Sequence, residues 1–200
     1  MEWGKKVIEK ALEYANYEWI ATEKNLKHGT DSNGVEVDTP DTTWKGKILN
    51  CGWWKPNQKN IGVAYGWGLA STIEEFEKGI FEGKYVGNVP EDKSRHVSYD
   101  CVGVDCSGLV MQALYSVGIN PLPVSVIRHS QPGYEYESRN LFTSSKFKTV
   151  SYEDRQRGDL IFYSDQNGTI IHIAIYLGND QVIEAWPGKV VVWPIKNSHR

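Results

Sequence analysis

The first twenty residues alternate between apolar and charged positions with the spacing of an amphipathic helix. Apolar side chains recur every three or four residues, as Trp3, Val7, Ile8, Ala11, Leu12, Ala15 and Trp19. This spacing places them along one face, so it predicts an N-terminal helix that runs to about residue 25. Residues 28–60 then carry many Gly, Asp, Thr and Asn residues without a clean period, which is typical of an irregular connection.

Two shorter helices are predicted further along the chain. Residues 71–74 read S-T-I-E, a capping-box pattern with Ser71 as N-cap, so a helix is expected from about residue 72 to residue 81. Beyond a polar stretch, apolar residues recur at helical spacing from Cys106 to Val117. Asp105 is a good N-cap and Gly118 a good C-cap, so this helix is expected to begin at Cys106.

Between residues 159 and 195 the pattern changes from helical spacing to short β-rich runs. They read D-L-I-F-Y-S, T-I-I-H-I-A-I-Y-L, Q-V-I-E-A-W and K-V-V-V-W-P-I, with Gly, Asn or Asp between them. Runs spaced about ten residues apart predict an antiparallel sheet. Helices first and strands last give an α+β fold. At 200 residues the chain is expected to form a single domain.

Charge and hydropathy narrow the range of partners. Lys and Arg number 22 and Asp and Glu 25, so the net charge of −3 argues against nucleic acid as a partner. No apolar run reaches the roughly 18 residues that span a bilayer, so no transmembrane segment is predicted. The first residues also lack the apolar centre of a secretion signal. Localisation stays open: extracellular or cell-envelope if a leader has been trimmed, and cytoplasmic otherwise.

The three cysteines, Cys51, Cys101 and Cys106, are too few for a disulfide scaffold and lack zinc-finger spacing. Cys51 and Cys101 could form a disulfide if the protein works outside the cell, and two reduced thiols are an equal possibility. Cys106 differs because it begins a predicted helix. The helix dipole and the unpaired N–H groups at such a position favour a thiolate and can stabilise an oxyanion. Cys106 is therefore either a buried apolar residue or a nucleophile.

A nucleophilic thiol needs a base, and His172 stands out among the five histidines because it interrupts an apolar strand. Glu184 interrupts the next strand in the same way. If Gly178–Asp180 form a three-residue loop, Ala174 lies opposite Glu184, and the histidine and the glutamate share one face as diagonal neighbours. A buried carboxylate without a partner is unfavourable, so a contact between the two explains both polar positions.

Four segments resemble the NlpC-type cysteine peptidases of bacterial cell walls, which are compact relatives of papain. They occur in the family's order: Y-G-W-G at 65–68, D-C-S-G-L-V at 105–110, G-D-L-I-F-Y at 158–163 and H-I-A-I-Y-L-G at 172–178. The resemblance covers about residues 60–193 and implies a papain-like core, with the nucleophile helix packed on an antiparallel sheet. Residues 1–60 would add a helix and an irregular extension to a catalytic core at 61–200.

The resemblance also implies a function. It indicates a thiol peptidase, without a cofactor, that acts on peptidoglycan stem peptides, typically between D-γ-glutamate and a diamino acid. Cys106 would attack, His172 would serve as base and then acid, and Glu184 would accept the Nδ1 proton of His172, with Nε2 facing Cys106. Tyr65 would place its hydroxyl near the thiolate or the oxyanion. The substrate contacts would come from Asp105, Ser107, Trp67 and Ser125.

Some alternatives stay open at this point. For Asp105 and Ser107, N-capping competes with substrate contact for the same oxygens. Glu184 stands where the family often has histidine, and Leu69 replaces the family's usual second glycine and is expected to narrow the groove. A metal bound by the three catalytic side chains would lack the closed outer shell of a zinc site, so none is expected. The rival functions are a transglutaminase-like enzyme or acyltransferase and a non-catalytic cell-wall binding module.

Overall fold

A computed structural model describes residues 2–26, 29–34, 36–37, 43–44, 47–48, 54–87, 97–119, 137–186 and 188–198. The helices in these ranges are α1 (Glu2–Asn16), α2 (Ile73–Glu82), α3 (Cys106–Tyr115) and α4 (Ser138–Phe142). A short 3-10 helix, Ile195–Asn197, lies near the end of the chain. Within the described ranges, no helix is both long and apolar enough to cross a membrane.

The strands divide into short pairs and one larger sheet. The short pairs are β1 (Glu18–Ile20) with β6 (Lys59–Ile61), β2 (Gly29–Thr30) with β3 (Glu36–Val37), β4 (Thr43–Trp44) with β5 (Lys47–Ile48), and β7 (Tyr85–Val86) with β8 (Cys101–Val102). The larger sheet contains β9 (Leu160–Ser164), β10 (Ile170–Gly178), β11 (Gln181–Ala185) and β12 (Val190–Pro194). Its order is β12-β11-β10-β9 and every pair in it is antiparallel. The predicted α+β fold class is confirmed.

The main hydrophobic cluster joins α1, α3 and the larger sheet. Its fully buried members include Val7 from α1, Leu109 and Leu114 from α3, and Ile173 and Ile183 from β10 and β11. The nucleophile helix therefore packs on the sheet, as the resemblance implied. Because α1 contributes to the same cluster, the N-terminal helix is packed into the catalytic core rather than standing apart from it.

The opposite face of the sheet carries a second, smaller cluster. Ala174 and Tyr176 on β10 and Val182 on β11 alternate with residues of the main cluster, so they point to this other face. Trp193 and Ile195, from β12 and the 3-10 helix, pack against them. The C-terminal segment, residues 190–198, thus packs on the second face of the sheet through Ile195.

Helix α1 is shorter than the sequence predicts, because it ends at Asn16 and not near residue 25. The chain then turns into β1, which pairs with β6. Trp19 is buried there, with its ring centroid 4.9 Å from that of Trp54 and 5.2 Å from that of Phe76. The four-residue apolar repeat does continue to Trp19, but tertiary packing of this ring replaces the last predicted helical turns with a strand.

Two predicted helix caps are shifted. The N-cap of α2 is Thr72 and not Ser71. Ser71 is instead bonded to the segment before α3, because its Oγ accepts a hydrogen bond from Gly103 N at 3.2 Å. The C-cap of α3 is Ser116, and Gly118 follows two residues later with a φ of +74°. A long-range bond takes Ser71 out of the local capping pattern, which is why the sequence pattern failed by one residue.

Candidate active site

Cys106 is the first residue of α3, as predicted, and its free thiol is partly exposed. Asp105 is the N-cap, and its Oδ1 accepts a hydrogen bond from Gly108 N at 2.6 Å. Asp105 N in turn donates to Leu69 O at 2.9 Å. The thiol therefore lies at the positive end of the helix. The residue before it, Asp105, is held by one hydrogen bond of its side chain and one of its backbone.

Tyr65 lies beside the chain that leads into α3. Its backbone forms a parallel bridge with Val104, and Gly66 N donates to Val104 O at 3.0 Å. The Tyr65 ring is buried and makes an edge-on contact with Trp186, with centroids 5.6 Å apart. The Y-G-W-G segment is thus placed next to the nucleophile, while a role for the Tyr65 hydroxyl stays a prediction.

Helix α3 packs directly on the backbone that follows the Y-G-W-G segment. A Cβ added to Gly108 would lie 2.2 Å from Leu69 O and 3.1 Å from the Ala70 Cα, so this position has no room for a side chain. One turn further along, Gln112 Nε2 donates to Ala70 O at 2.6 Å. These contacts explain the glycine of D-C-S-G, and Gln112 is a positioning contact that the sequence did not indicate.

Leu69 does not narrow the groove, contrary to the expectation from the sequence. Its side chain is fully buried and packs with Val37 and Cys101. It also folds back over Gly66, where an added Cβ would meet Leu69 Cδ1 at 2.4 Å. The larger side chain is accommodated inside the protein and does not line its surface.

The predicted substrate contacts have mixed surroundings. Asp105 and Ser107 are buried; Ser107 Oγ donates to Asp105 Oδ1 at 3.0 Å, and Gly68 N donates to Oδ2 at 3.0 Å. These bonds support the capping role, which competes for the same oxygens as a substrate. Trp67 is half-buried against the main cluster. Ser125 lies outside the described residues, and substrate contact by all four stays a prediction.

His172 and Glu184 meet between β10 and β11. Nε2 of His172 is 2.6 Å from Oε2 of Glu184, and the two residues are 2% and 0% exposed. The predicted contact is confirmed, but the predicted nitrogen, Nδ1, is wrong. Nε2 is the nitrogen farther from the backbone, and the diagonal offset between the strands puts the carboxylate at that end. Nδ1 is the ring nitrogen that remains available to Cys106, which lies close enough to His172 to raise its pKa.

The hairpin between these strands has a shorter loop than predicted. Asn179 and Asp180 form a two-residue loop with φ values of +51° and +54°. The register shifts by one residue just before Gly178, and beyond that bulge Ile175 pairs with Ile183, which is the predicted register. The bulge compensates for the missing loop residue, so the histidine and the glutamate remain on one face.

Glu184 accepts hydrogen bonds from three side chains. Besides His172, Trp193 donates from Nε1 to Oε1, and Ser198 donates from Oγ to Oε2 at 2.5 Å. Neither donor was predicted from the sequence. Alternation along β12 could have pointed to Trp193, because it pairs with Val182, two positions from Glu184. No local pattern marks Ser198.

The partners of His172 change its protonation. Burial acts to lower its pKa, but the hydrogen bonds to Cys106 and Glu184 and the charges of both groups outweigh burial and raise the pKa from 6.5 to about 9. The imidazolium is therefore the main form near neutral pH. Cys101 offers a contrast, because burial raises the pKa of its thiol to about 12. His172 is the only histidine among the described residues.

Other predictions about the site remain open. Cys101 is a free thiol, and Cys51 lies outside the described residues, so a disulfide between them stays a prediction. In the part of the chain that the structure describes, no group of three or more His, Cys, Asp or Glu side chains is placed to hold a metal ion.

A partly exposed thiol at a helix N-terminus, a histidine that contacts it and a buried carboxylate behind that histidine are the arrangement of a papain-like cysteine peptidase. A model of the NlpC/P60 family matches residues 62–199. The chain therefore belongs to the NlpC/P60 family of cysteine peptidases, and the predicted family is confirmed.

Similar proteins agree with this assignment. Peptidoglycan endopeptidase RipB of Mycobacterium tuberculosis is 33% identical over 140 residues, which are 69% of this chain and 44% of that protein. Peptidoglycan endopeptidase RipA of the same species is 35% identical over 125 residues, 62% of this chain and 20% of that protein. The chain thus spans less than half the length of these relatives. A solved structure of a RipA variant supports the fold, with a TM-score of 0.50, 21% identity and coverage of 98% of this chain and 57% of that chain.

Proposed function

We propose that the chain is a cysteine peptidase that hydrolyses amide bonds in peptidoglycan stem peptides, with the bond between D-γ-glutamate and a diamino acid as its target. The contact of His172 with both Cys106 and Glu184 carries this proposal. The substrate class is supported by relatives named peptidoglycan endopeptidases. The choice of bond rests on the family resemblance of the four sequence segments.

In the first half of the proposed reaction, the Cys106 thiolate attacks the carbonyl carbon of the amide. The C=O electron pair moves to the oxygen, and the backbone N–H groups at the start of α3 and the Tyr65 hydroxyl stabilise the oxyanion. The oxyanion collapses as His172 gives its Nδ1 proton to the leaving nitrogen. The C–N bond breaks, the amine departs and a thioester remains on Cys106.

In the second half, neutral His172 takes a proton from a water molecule at Nδ1. The resulting hydroxide attacks the thioester carbonyl, and the C–S bond breaks to release the carboxylic acid product and the thiolate. Glu184 holds the ring through Nε2 in both halves and stabilises the imidazolium, which is its proposed role. The Cys106 thiolate and the protonated His172 with which the reaction began are thereby restored.

Mass spectrometry of defined muropeptides tests the proposal. The wild type should split stem peptides between D-γ-glutamate and the diamino acid with the uptake of one water. Cys106→Ala and His172→Ala should each abolish turnover while leaving the fold intact, since members of one catalytic unit fail together. Cys101→Ala is the matched control and should keep its activity, because the Cys101 thiol is buried and has no part in the proposed reaction.

Each rival function predicts a different result. Hydrolysis by Cys106→Ala near the wild-type rate would contradict a cysteine mechanism. Discharge of the thioester by added amines in preference to water would favour an acyltransferase. No cleavage, together with a Cys106 thiol that reacts with iodoacetamide no faster than free cysteine, would favour a non-catalytic binding module.

A further inference from the structure

The C-terminal segment supplies two of the three hydrogen bonds that Glu184 accepts. Trp193 donates to Oε1 and Ser198 to Oε2, and the carboxylate itself has no exposed surface. Both donors come after the last family-like segment at 172–178. Neither is needed to bring His172 and Glu184 together, since β10 and β11 do that.

The two donors are held in place by the fold. Trp193 pairs with Val182 across β12 and β11 and packs in the second cluster. The 3-10 helix is fixed to the β10–β11 hairpin, because Ile195 N donates to Asp180 O at 2.7 Å. Ser198 follows it and is 6% exposed. The hydroxyl and the indole N–H therefore meet the carboxylate from fixed positions.

A buried carboxylate needs such donors because it has lost its water. Removing Trp193 takes away the donor to Oε1, and removing Ser198 leaves Oε2 with the His172 bond, so either change weakens the hold on the orientation of the carboxylate. The other described titratable groups facing the pair are Cys106 from α3 and Tyr163 from β9, whose ring lies 5.6 Å from that of His172. Burial foremost, with the Glu184 charge adding, raises the pKa of Tyr163 to about 12, so Tyr163 is neutral at neutral pH.

We propose that Trp193 and Ser198 are positioning residues, which hold the Glu184 carboxylate in the orientation that the His172 imidazolium requires. The C-terminal segment is then part of the catalytic site, although it touches neither the thiol nor the substrate. This proposal rests on the proposed peptidase function and adds two residues to its machinery.

The test is the titration of the His172 ring by NMR in the full chain, a measurement that needs no substrate. Trp193→Phe and Ser198→Ala should each shift the His172 pKa from about 9 toward 6.5. Ser198→Thr keeps a hydroxyl and should restore the wild-type titration. Ile195→Val changes packing in the same segment without changing a donor to Glu184, and it should leave the titration unchanged.

A double-mutant cycle distinguishes an effect on His172 that acts through Glu184 from a general loosening of the packing around the site. In a Glu184→Gln background, Ser198→Ala should cause no further shift of the His172 pKa. With a cleavable stem peptide, Ser198→Ala should lower kcat by roughly threefold to thirtyfold and leave KM nearly unchanged. An unchanged titration in folded Trp193→Phe and Ser198→Ala overturns the proposal. If the titrations shift in the two variants but the wild type cleaves no muropeptide, the positioning role is supported and the proposed function fails.

Discussion

At the scale of single residues, the charge of His172 sets the chemistry of the site. Burial alone lowers the pKa of a histidine, so its partners stabilise the imidazolium by more than burial destabilises it. Because the folded-state pKa of about 9 exceeds the unfolded value of 6.5, the charged ring stabilises the folded chain fully below pH 6.5. That contribution is lost as the pH rises through about 9.

The first prediction concerns the alkaline side of the pH profile. We expect kcat/KM for stem-peptide cleavage to fall as the pH rises through about 9, because neutral His172 has no proton for the leaving amine. Glu184→Gln removes a charge that supports the imidazolium, so it should move this limb to lower pH. Steady-state kinetics over the pH range provide the measurement. A limb at the same pH in both proteins would contradict the assignment to His172.

The second prediction concerns the size of the Glu184 effect. Glu184→Gln keeps the shape of the side chain but turns an amide N–H₂ toward the donors that now meet a carboxylate. We expect kcat/KM to fall roughly tenfold to a thousandfold, below the ten-thousandfold effect of the triad aspartate in serine proteases. Glu153→Gln makes the same change at an exposed position and should be silent. Near wild-type activity of Glu184→Gln would exclude the orienting role.

At the scale of elements, local signals predicted what local bonds determine. The start of α3 followed from Asp105 and the apolar period, because an N-cap bond spans three residues. The predicted length of the β10–β11 loop was wrong. The loop is one residue shorter than predicted and the bulge adds one residue to β10, so the strand register, which is all that the apolar pattern shows, is the same in both cases. The ring nitrogen facing Glu184 was predicted wrongly although the strand offset was right, because residue types do not specify the side-chain torsion angles of His172.

The third prediction tests how α3 is seated. Gly108 lies inside the helix, where alanine normally adds up to about 1 kcal/mol of stability relative to glycine. Here the added methyl would meet Leu69 O at 2.2 Å, so Gly108→Ala should instead lower the free energy of unfolding by roughly 1–3 kcal/mol. It should also lower kcat, because α3 carries Cys106. Denaturant unfolding measures the sign, and a stabilised variant would show that the contact yields easily.

At the scale of the whole molecule, the family match begins at residue 62, after α1 has ended. The structure nevertheless ties α1 to the matched region. Tyr14 Oη donates to Ser71 O at 3.1 Å, and a Cβ on Gly158, in the G-D-L-I-F-Y segment, would lie 2.5 Å from the Gly4 Cα. The helical period in α1 revealed its apolar face but not the surface that this face would cover, so its role could not be predicted.

The last prediction is that α1 and the catalytic core unfold as one unit. Ile8 is 4% exposed in the main cluster, so Ile8→Ala should lower the free energy of unfolding by about 2–4 kcal/mol. For a chain of this size that corresponds to a fall in Tm of about 5–15 °C. Lys5→Ala, on the exposed face of α1, is the matched control and should leave Tm nearly unchanged. Circular dichroism and the reactivity of the buried Cys101 thiol should follow the same transition in wild type and variant. Cys101 lies in a different cluster from Ile8, so its thiol reports on a separate part of the core. If Ile8→Ala melted only the helix while Cys101 stayed protected to the wild-type temperature, residues 1–60 would be an independent extension of the core.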